Sequence, residues 1–318
     1  MADIAPQQQP LKKQKWKRDD TQLLILSLPG LLHLFIFWFM PIFGIIVAFK
    51  TFRVFPGSNF TGNLLRSAWA GLDNFKILFS RPDLPGIVGR TVLYNIFFLA
   101  CGMIFPVGLA LIISELRQRF AAKVYQTIMF LPNFLSWVIV AALVWSFLSM
   151  QLGIVNQARE YLGYEAVNFY ANVTFWPPFL VLLAQWKGVG FGSVVYLAAI
   201  TSLDKSVYDA AIIDGATKRQ QIWYITLPLI KRIIILMLIM SIGGLLGSDF
   251  GLFYVVTRET PSLFPVTMTT SVLLYQMLKD VPIGVSSAAG LVFSVLGTAL
   301  VLTANAIVRK VDRESAMI

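Results

Sequence analysis

Tyr208-Asp209-Ala210-Ala211-Ile212-Ile213-Asp214-Gly215, followed after nine intervening residues by Ile225-Thr226-Leu227-Pro228, lies in the long hydrophilic break at residues 201–232. The chain on either side is apolar over runs long enough to cross a bilayer. A polar element held between two such runs is where a partner can drive the protein. Ser206-Val207-Tyr208-Asp209 has the spacing of a capping box, with Ser206 at the N-cap and an acidic residue three positions on. Val207, Ala210, Ala211 and Asp214 then share one helical face, and Gly215 stands where a left-handed C-terminal cap favours glycine. Thr217 and Gln220 repeat the capping-box spacing and open a second short helix that leads into Leu227-Pro228. The pattern predicts a two-turn helix about 12 Å long, a turn, and a second helix entering the next apolar run. Its alanines leave the first helix thin, open either to another protein's surface or to packing on its own bundle.

The composition around this break is that of a membrane protein. Of 318 residues 57% are hydrophobic and only 13% charged, against about 25% charged in soluble domains, and the mean hydropathy is +0.72. The net charge of +10 would suit nucleic acid, but the basic residues cluster beside apolar runs, which is a topology signal. The 201–232 break also lacks a base-reading helix and is tethered at both ends, so no nucleic-acid partner is expected. One cysteine, Cys101, excludes an internal disulfide framework and reads as a small apolar residue. The single histidine, His33, leaves Cys/His metal chemistry without ligands and reads as helix packing.

Six runs reach the roughly 20 apolar residues that a span needs: 23–49, 88–114, 125–149, 176–200, 229–256 and 284–308. Pro29, Pro41, Pro106 and Pro132 predict kinks within them. Sixteen Lys and Arg residues fall in the N-terminal tail, the 115–124 and 201–232 loops and the C-terminal tail, against nine on the other side. That bias predicts an all-α polytopic membrane protein with six transmembrane helices, both termini cytoplasmic, and the 201–232 loop cytoplasmic too. The expected organisation is a basic tail at 1–22, a six-helix domain at 23–308 and a second tail at 309–318. The first run is too long for a signal-peptide core and lacks a cleavage pattern, so it is expected to remain as a span. Residues 69–79 place Leu72, Phe75, Ile77, Leu78 and Phe79 for a short helix lying at the outer interface. The mixed polar and aromatic segments 150–175 and 257–283 suit a lid or docking surface.

Lys187 lies mid-span, where a charge costs about 2.5–3.5 kcal/mol. Asp249, in the outer half of the fifth run, differs from it in depth by about 5–10 Å. An ion pair, carbonyl solvation or a polar pathway lining would each accommodate that charge. Asn133, Trp137, Gln185, Trp186 and Tyr196, at similar depth, offer stacking faces and hydrogen bonds to sugar rings, or helix packing and interface anchoring. The glycines of Gly188-Val189-Gly190-Phe191-Gly192 lack the following Lys-Ser/Thr of a phosphate loop and read as close helix packing. No G-x-x-x-x-G-K-[ST] occurs in the chain. An ion-driven secondary transporter would want several intramembrane carboxylates and an inverted repeat. A membrane enzyme would want a nucleophile–base pair or a metal cluster. Neither pattern is visible.

The spacing Asp209-Ala210-Ala211, three residues, Gly215, nine residues, Ile225, one residue, Leu227-Pro228 resembles the EAA loop of the membrane subunits of binding-protein-dependent ABC importers, with Asp209 where glutamate is usual. Gly71-Leu72-Asp73-Asn74-Phe75, Trp186-Lys187-Gly188-Val189-Gly190 and Tyr196-Leu197-Ala198-Ala199 resemble the carbohydrate-importing branch, closest to permeases for complex oligosaccharides including uronate-containing fragments. The resemblance covers about residues 20–310. It implies a permease subunit of the bacterial plasma membrane that is not itself an enzyme, with ATP and Mg bound by two partner ATPase subunits. A second homologous permease and an extracellular solute-binding protein complete the implied assembly. Tyr208, Asp209, Ala210, Ala211, Asp214, Gly215, Ile225, Leu227 and Pro228 would then form the ATPase-coupling element. Asn133, Trp137, Gln185, Trp186, Lys187, Tyr196 and Asp249 would be candidates for the substrate pathway. A polyol or glycerol-phosphate permease is the alternative within the same family.

Overall fold

The computed structural model describes residues 18–116 and 118–311. The Lys12–Lys17 cluster, Arg117 and Arg313, all used above for orientation, lie outside it. Among the described residues the chain is helical, and its one β-bridge pairs Lys50 with Trp69. In chain order the helices are α1 (Arg18–Leu34), α2 (Phe60–Arg66), α3 (Asp73–Phe79), α4 (Leu84–Ser114), α5 (Arg119–Phe130), α6 (Trp137–Leu148), α7 (Ile154–Tyr161) and α8 (Trp176–Thr201). They continue as α9 (Lys205–Ile213), α10 (Lys218–Gln221), α11 (Leu227–Ile242), α12 (Phe264–Thr267), α13 (Thr270–Asp280) and α14 (Ile283–Val311). Among the described residues five helical runs are long and apolar enough to span a membrane: Thr21–Phe49, Leu84–Ser114, Trp176–Thr201, Lys218–Ile242 and Ile283–Lys310.

The expected third span, 125–149, is broken. Phe120–Phe134 and Trp137–Leu148 meet at 95°. Pro132 sits in the 3-10 turn Leu131–Phe134, where its ring and missing N–H stop the α-helix. Ser136 then starts a new helix by accepting from the Ile139 N–H. The expected fifth span, 229–256, is shifted. Its helix begins at Lys218, passes through the π turn Ile222–Thr226 and stops at Ile242. Gly243, Gly244 and Gly247 weaken helix propensity there, and helical turns resume only at Gly251–Val255. Hydropathy overlooks such a break because the glycines stand among leucines and isoleucines.

Two apolar centres hold the bundle. One joins α6, the first half of α8 and residues 252–272 around the fully buried Trp176, Leu180, Phe253 and Leu263. The other joins α3, the start of α4, α13 and α14 around Leu78, Leu273, Met277 and Ala289. The helix α3 is shorter than the 69–79 expected and turns only Leu78 and Asn74 inward, leaving Leu72, Ile77 and Phe79 exposed. Asn74 anchors it by donating to the carbonyls of Ala48 and Lys50. By contrast, every residue from Thr21 to Met40 is exposed, so the first span presents an apolar surface that its own bundle does not cover.

α4 and α5 pack along α8, and at Gly190 the backbone of α5 comes close to that of α8. A Cβ there would overlap the Met129 carbonyl, and one at Gly192 would press on Pro106 at 3.2 Å. Gly188 has open space around it, so only the second and third glycines of the run serve packing. Gly190→Ala is expected to lower stability by about 1–3 kcal/mol through overpacking, read as earlier thermal unfolding in detergent. Gly188→Ala, with open space for the new methyl and a gain in helix propensity, should not lower the unfolding temperature.

Candidate functional site

The 201–232 loop is a doubly capped helix pair. Its first helix starts two residues earlier than the sequence suggested, because Asp204, not Ser206, is the N-cap and accepts from the Ser206 N–H at 3.0 Å. The hydrogen bonds from Ser206 hold the Asp204 carboxyl below its usual pKa. This contribution to helix stability is present in full above the ordinary carboxylate range and is lost as pH falls through the lowered value. Gly215 takes φ 78°. Around it Ala216 N–H donates to the Ala211 carbonyl at 2.9 Å and Gly215 N–H to the Ile212 carbonyl at 3.0 Å, the two bonds of a Schellman motif. Thr217 and Gln220 form the reciprocal capping box that starts α10.

From there the backbone runs helically into α11, with Leu227 and Pro228 opening it. The pair is tied to that helix by the hydrogen bond between the Tyr208 and Thr226 hydroxyls, 2.9 Å, and to the α4–α5 turn by Lys218–Glu115, 2.9 Å. The alanine face divides. Ala211 is buried against its own chain, and Tyr208 and Ile225 are half-buried. Asp209, Ala210, Asp214 and Gly215 are exposed beside Val207 and Ile213. The thin side of the helix therefore seats it on its own bundle, and the outward surface is Asp209-Ala210 with Ile213-Asp214-Gly215.

Away from this loop, four of the seven pathway candidates meet. Lys187 Nζ donates to the Asn133 carbonyl at 2.9 Å and lies 5.3 Å from the centre of the Trp137 ring. Trp137 Nε1–H donates to Asp249 Oδ2 at 2.8 Å, and Asp249 Oδ1 accepts from the Gly251 N–H at 2.9 Å and the Leu252 N–H at 3.3 Å. Gly251 is what lets the indole reach this carboxylate, since a Cβ would overlap the ring. A direct Lys187–Asp249 pair is replaced by an indole standing between cation and anion. The other three candidates lie elsewhere. Gln185 and Trp186 line a cavity of about 1290 Å³ between α4 and α8, otherwise almost wholly apolar, that includes Tyr94 and Cys101. Tyr196 is buried in helix packing. Sequence reasoning missed Phe250, Tyr254, Tyr275 and Lys279, which cluster next to Asp249. Their separation along the chain hid them. Among the described residues no group of three or more His, Cys, Asp or Glu side chains could hold a metal ion.

Apolar spans, two interior helix breaks stitched by polar side chains, and a capped helix pair outside the spans define a polytopic membrane protein. Residues 102–313 match the binding-protein-dependent transport system inner membrane component family, and the chain belongs to that family of membrane-embedded permease subunits. It is 32% identical over 304 residues to protein LplB of Bacillus subtilis, covering 96% of this chain and 92% of that one. It is 33% identical over 313 residues to the polygalacturonan/rhamnogalacturonan transport system permease protein YteP of the same organism, covering 95% and 94%. In structure it matches a chain of a bacterial ABC transporter involved in the import of the acidic polysaccharide alginate, with TM-score 0.81, 32% identity and 93% and 97% coverage.

Trp137→Phe removes the indole donor to Asp249 and is expected to cost about 1 kcal/mol. Trp137→Ala, which also removes the ring beside Lys187, should cost more. A double-mutant cycle of Trp137→Phe with Asp249→Asn, read by thermal unfolding, should be non-additive because the two groups share one bond.

Proposed function

We propose that this permease imports an oligosaccharide derived from a plant or microbial glycan, delivered by an extracellular solute-binding protein and driven by ATP hydrolysed in two partner ATPase subunits. Those subunits would hold ATP and Mg; this chain supplies the path and the lever. The observation that carries the reading is the capped helix pair at 204–221, which continues helically into a membrane span. A push on its outward face is delivered to α11 through backbone hydrogen bonds and the Tyr208–Thr226 contact. Asp209, Ala210, Asp214 and Gly215 are the surface offered to an ATPase. Ala211, Ile225, Leu227 and Pro228 position that surface, and Tyr208 ties it to the span. As nucleotide closes the ATPase pair, α9 moves with it and the spans rock from inward- to outward-facing; hydrolysis resets them.

A second, homologous permease supplies the other half of the path. The bare apolar surface from Thr21 to Met40 supports this, since a span that its own bundle leaves uncovered is available to another subunit. The oligosaccharide reading is retained over a polyol or glycerol phosphate because the relatives above whose solute is named transport polysaccharides or import one. Asn133, Trp137, Lys187 and Asp249 line the path in this reading, while Gln185, Trp186 and Tyr196 serve packing and the α4–α8 cavity.

The experiment is Gly215→Val in the assembled importer. A β-branched residue resists the left-handed conformation that Gly215 adopts, so the turn between α9 and α10 should deform. Substrate-dependent uptake is expected to fall at least about tenfold, equivalent to about 1.4 kcal/mol of lost coupling, while ATP hydrolysis continues and membrane insertion is unchanged. Normal coupled transport in this variant would remove the coupling role of the loop.

A further inference from the structure

Residues 243–282 join the far end of the fifth helical run to the sixth and so lie away from the capped helix pair at 204–221. Three rings gather there. Phe250 and Tyr254 stack with centroids 4.6 Å apart, and Tyr275 meets them edge-on or tilted at 4.8 and 4.9 Å. Lys279 closes the group. Its Nζ lies 4.3 Å from the centre of the Tyr275 ring, donates to the Tyr254 hydroxyl at 3.2 Å, and faces the Glu259 carboxylate at 3.7 Å. The rings are half-buried, and the side chains of Lys279 and Glu259 are each 47% exposed. The group is accessible to a solute, and Phe250 and Tyr254 rest against the first apolar centre, which fixes them in place.

The backbone that presents Glu259 is unusual. Arg258 and Glu259 both take left-handed conformations, φ 56° and 49°, which non-glycine residues adopt only where the surroundings impose them. Arg258 is held by stacking over Trp145 at 4.2 Å, and the next residue is thereby aimed at Lys279. The Glu259–Lys279 separation is too long for a hydrogen bond, and the pair is half-exposed, so it is weak. An incoming carboxylate can replace Glu259 with little loss. The Tyr254 hydroxyl pushes the Lys279 pKa up to about 12, which keeps the ammonium charged.

Resting on the importer reading above, we propose that Phe250, Tyr254, Tyr275 and Lys279 form a subsite for a uronic-acid ring of the transported oligosaccharide. The rings take the apolar face of the sugar, Lys279 takes its carboxylate, and Glu259 holds the lysine until the sugar arrives. Neutral aromatic platforms accept any hexose; the cation makes this one selective for an acidic residue. Phe250 adjoins Asp249, whose partner Trp137 stands beside Lys187. A sugar leaving the subsite therefore meets a second aromatic ring with a second cation.

The test uses the complete importer in proteoliposomes with its binding protein and four probes: trigalacturonate, trimannuronate and the methyl ester of each. Lys279→Met is expected to raise KM for the transported acid about tenfold, the effect of losing one charge-assisted contact, with KM for its ester unchanged. Lys279→Arg should retain acid preference, and Glu259→Gln, which frees the lysine, should lower KM for the acid. Equal shifts for acid and ester, or no shift in either, would overturn the subsite while leaving the importer reading intact. If Lys279→Met fails to assemble, Glu259→Gln decides, and an unchanged KM for the acid then overturns the proposal. Uptake of none of the four probes by the unsubstituted complex would overturn the oligosaccharide reading, and the subsite with it.

Discussion

In a bilayer every backbone carbonyl released by a break in a helix has to find a donor inside the protein. This chain breaks one expected span at 131–136 and leaves the α-helix after Ile242 in another, and several of its polar side chains answer the carbonyls exposed at those places and nearby. Lys187 serves Asn133, Asn95 serves Leu245 and Gly247, and the Thr270 hydroxyl serves Leu246. Farther out, Arg90 serves Met268. The two main breaks are also stitched to each other through Trp137 and Asp249. Charge in the membrane is thus first a solution to backbone solvation, and a path for a polar solute lies where those same groups gather. A mid-span lysine and a functional surface are for this reason one feature.

The loop that defines the family was legible almost residue by residue. Gly215 as a left-handed cap and Thr217–Gln220 as a capping box are local chemistry, encoded within a few positions. What the sequence could not settle was the N-cap, because Asp204 and Ser206 compete for one role and only the backbone decides. It also could not settle which way the alanine face turns. Ala210 and Ala211 are equivalent as letters, yet one is outward and the other buried, since burial depends on helices that follow much later in the chain.

The spans were legible where hydrophobicity alone sets them, as in α4, α8 and α14. They were misread where a polar or flexible residue interrupts an apolar run without lowering its average, as at Pro132 and Gly243-Gly244. The candidate pathway residues were chosen by depth, and depth placed four of seven together. For Lys187 the sequence leaves an ion pair with Asp249, carbonyl solvation and a pathway lining open; the structure gives it the Asn133 carbonyl and sets between it and Asp249 an indole that no reading of the sequence supplies. Tyr254 and Tyr275 stood apart because 20 residues and a broken helix separate them in the chain. Their meeting is a product of tertiary packing, in which the turn carrying Tyr254 lies on α6 and α8 while α13, carrying Tyr275, lies on α4 and α14.

The contact of Gly190 with Met129 bears on which movements remain open to the bundle. Two helices in backbone contact can pivot about the contact, but sliding along it would bring a side chain one turn away, Lys187 or Ser193, against the Met129 carbonyl and force the pair apart. α5 and α8 are thus pinned like the blades of scissors. Strain arriving along α8 emerges as an angle between the pair, and the hinge at Pro132, only three residues beyond the pin, is where that angle is taken up.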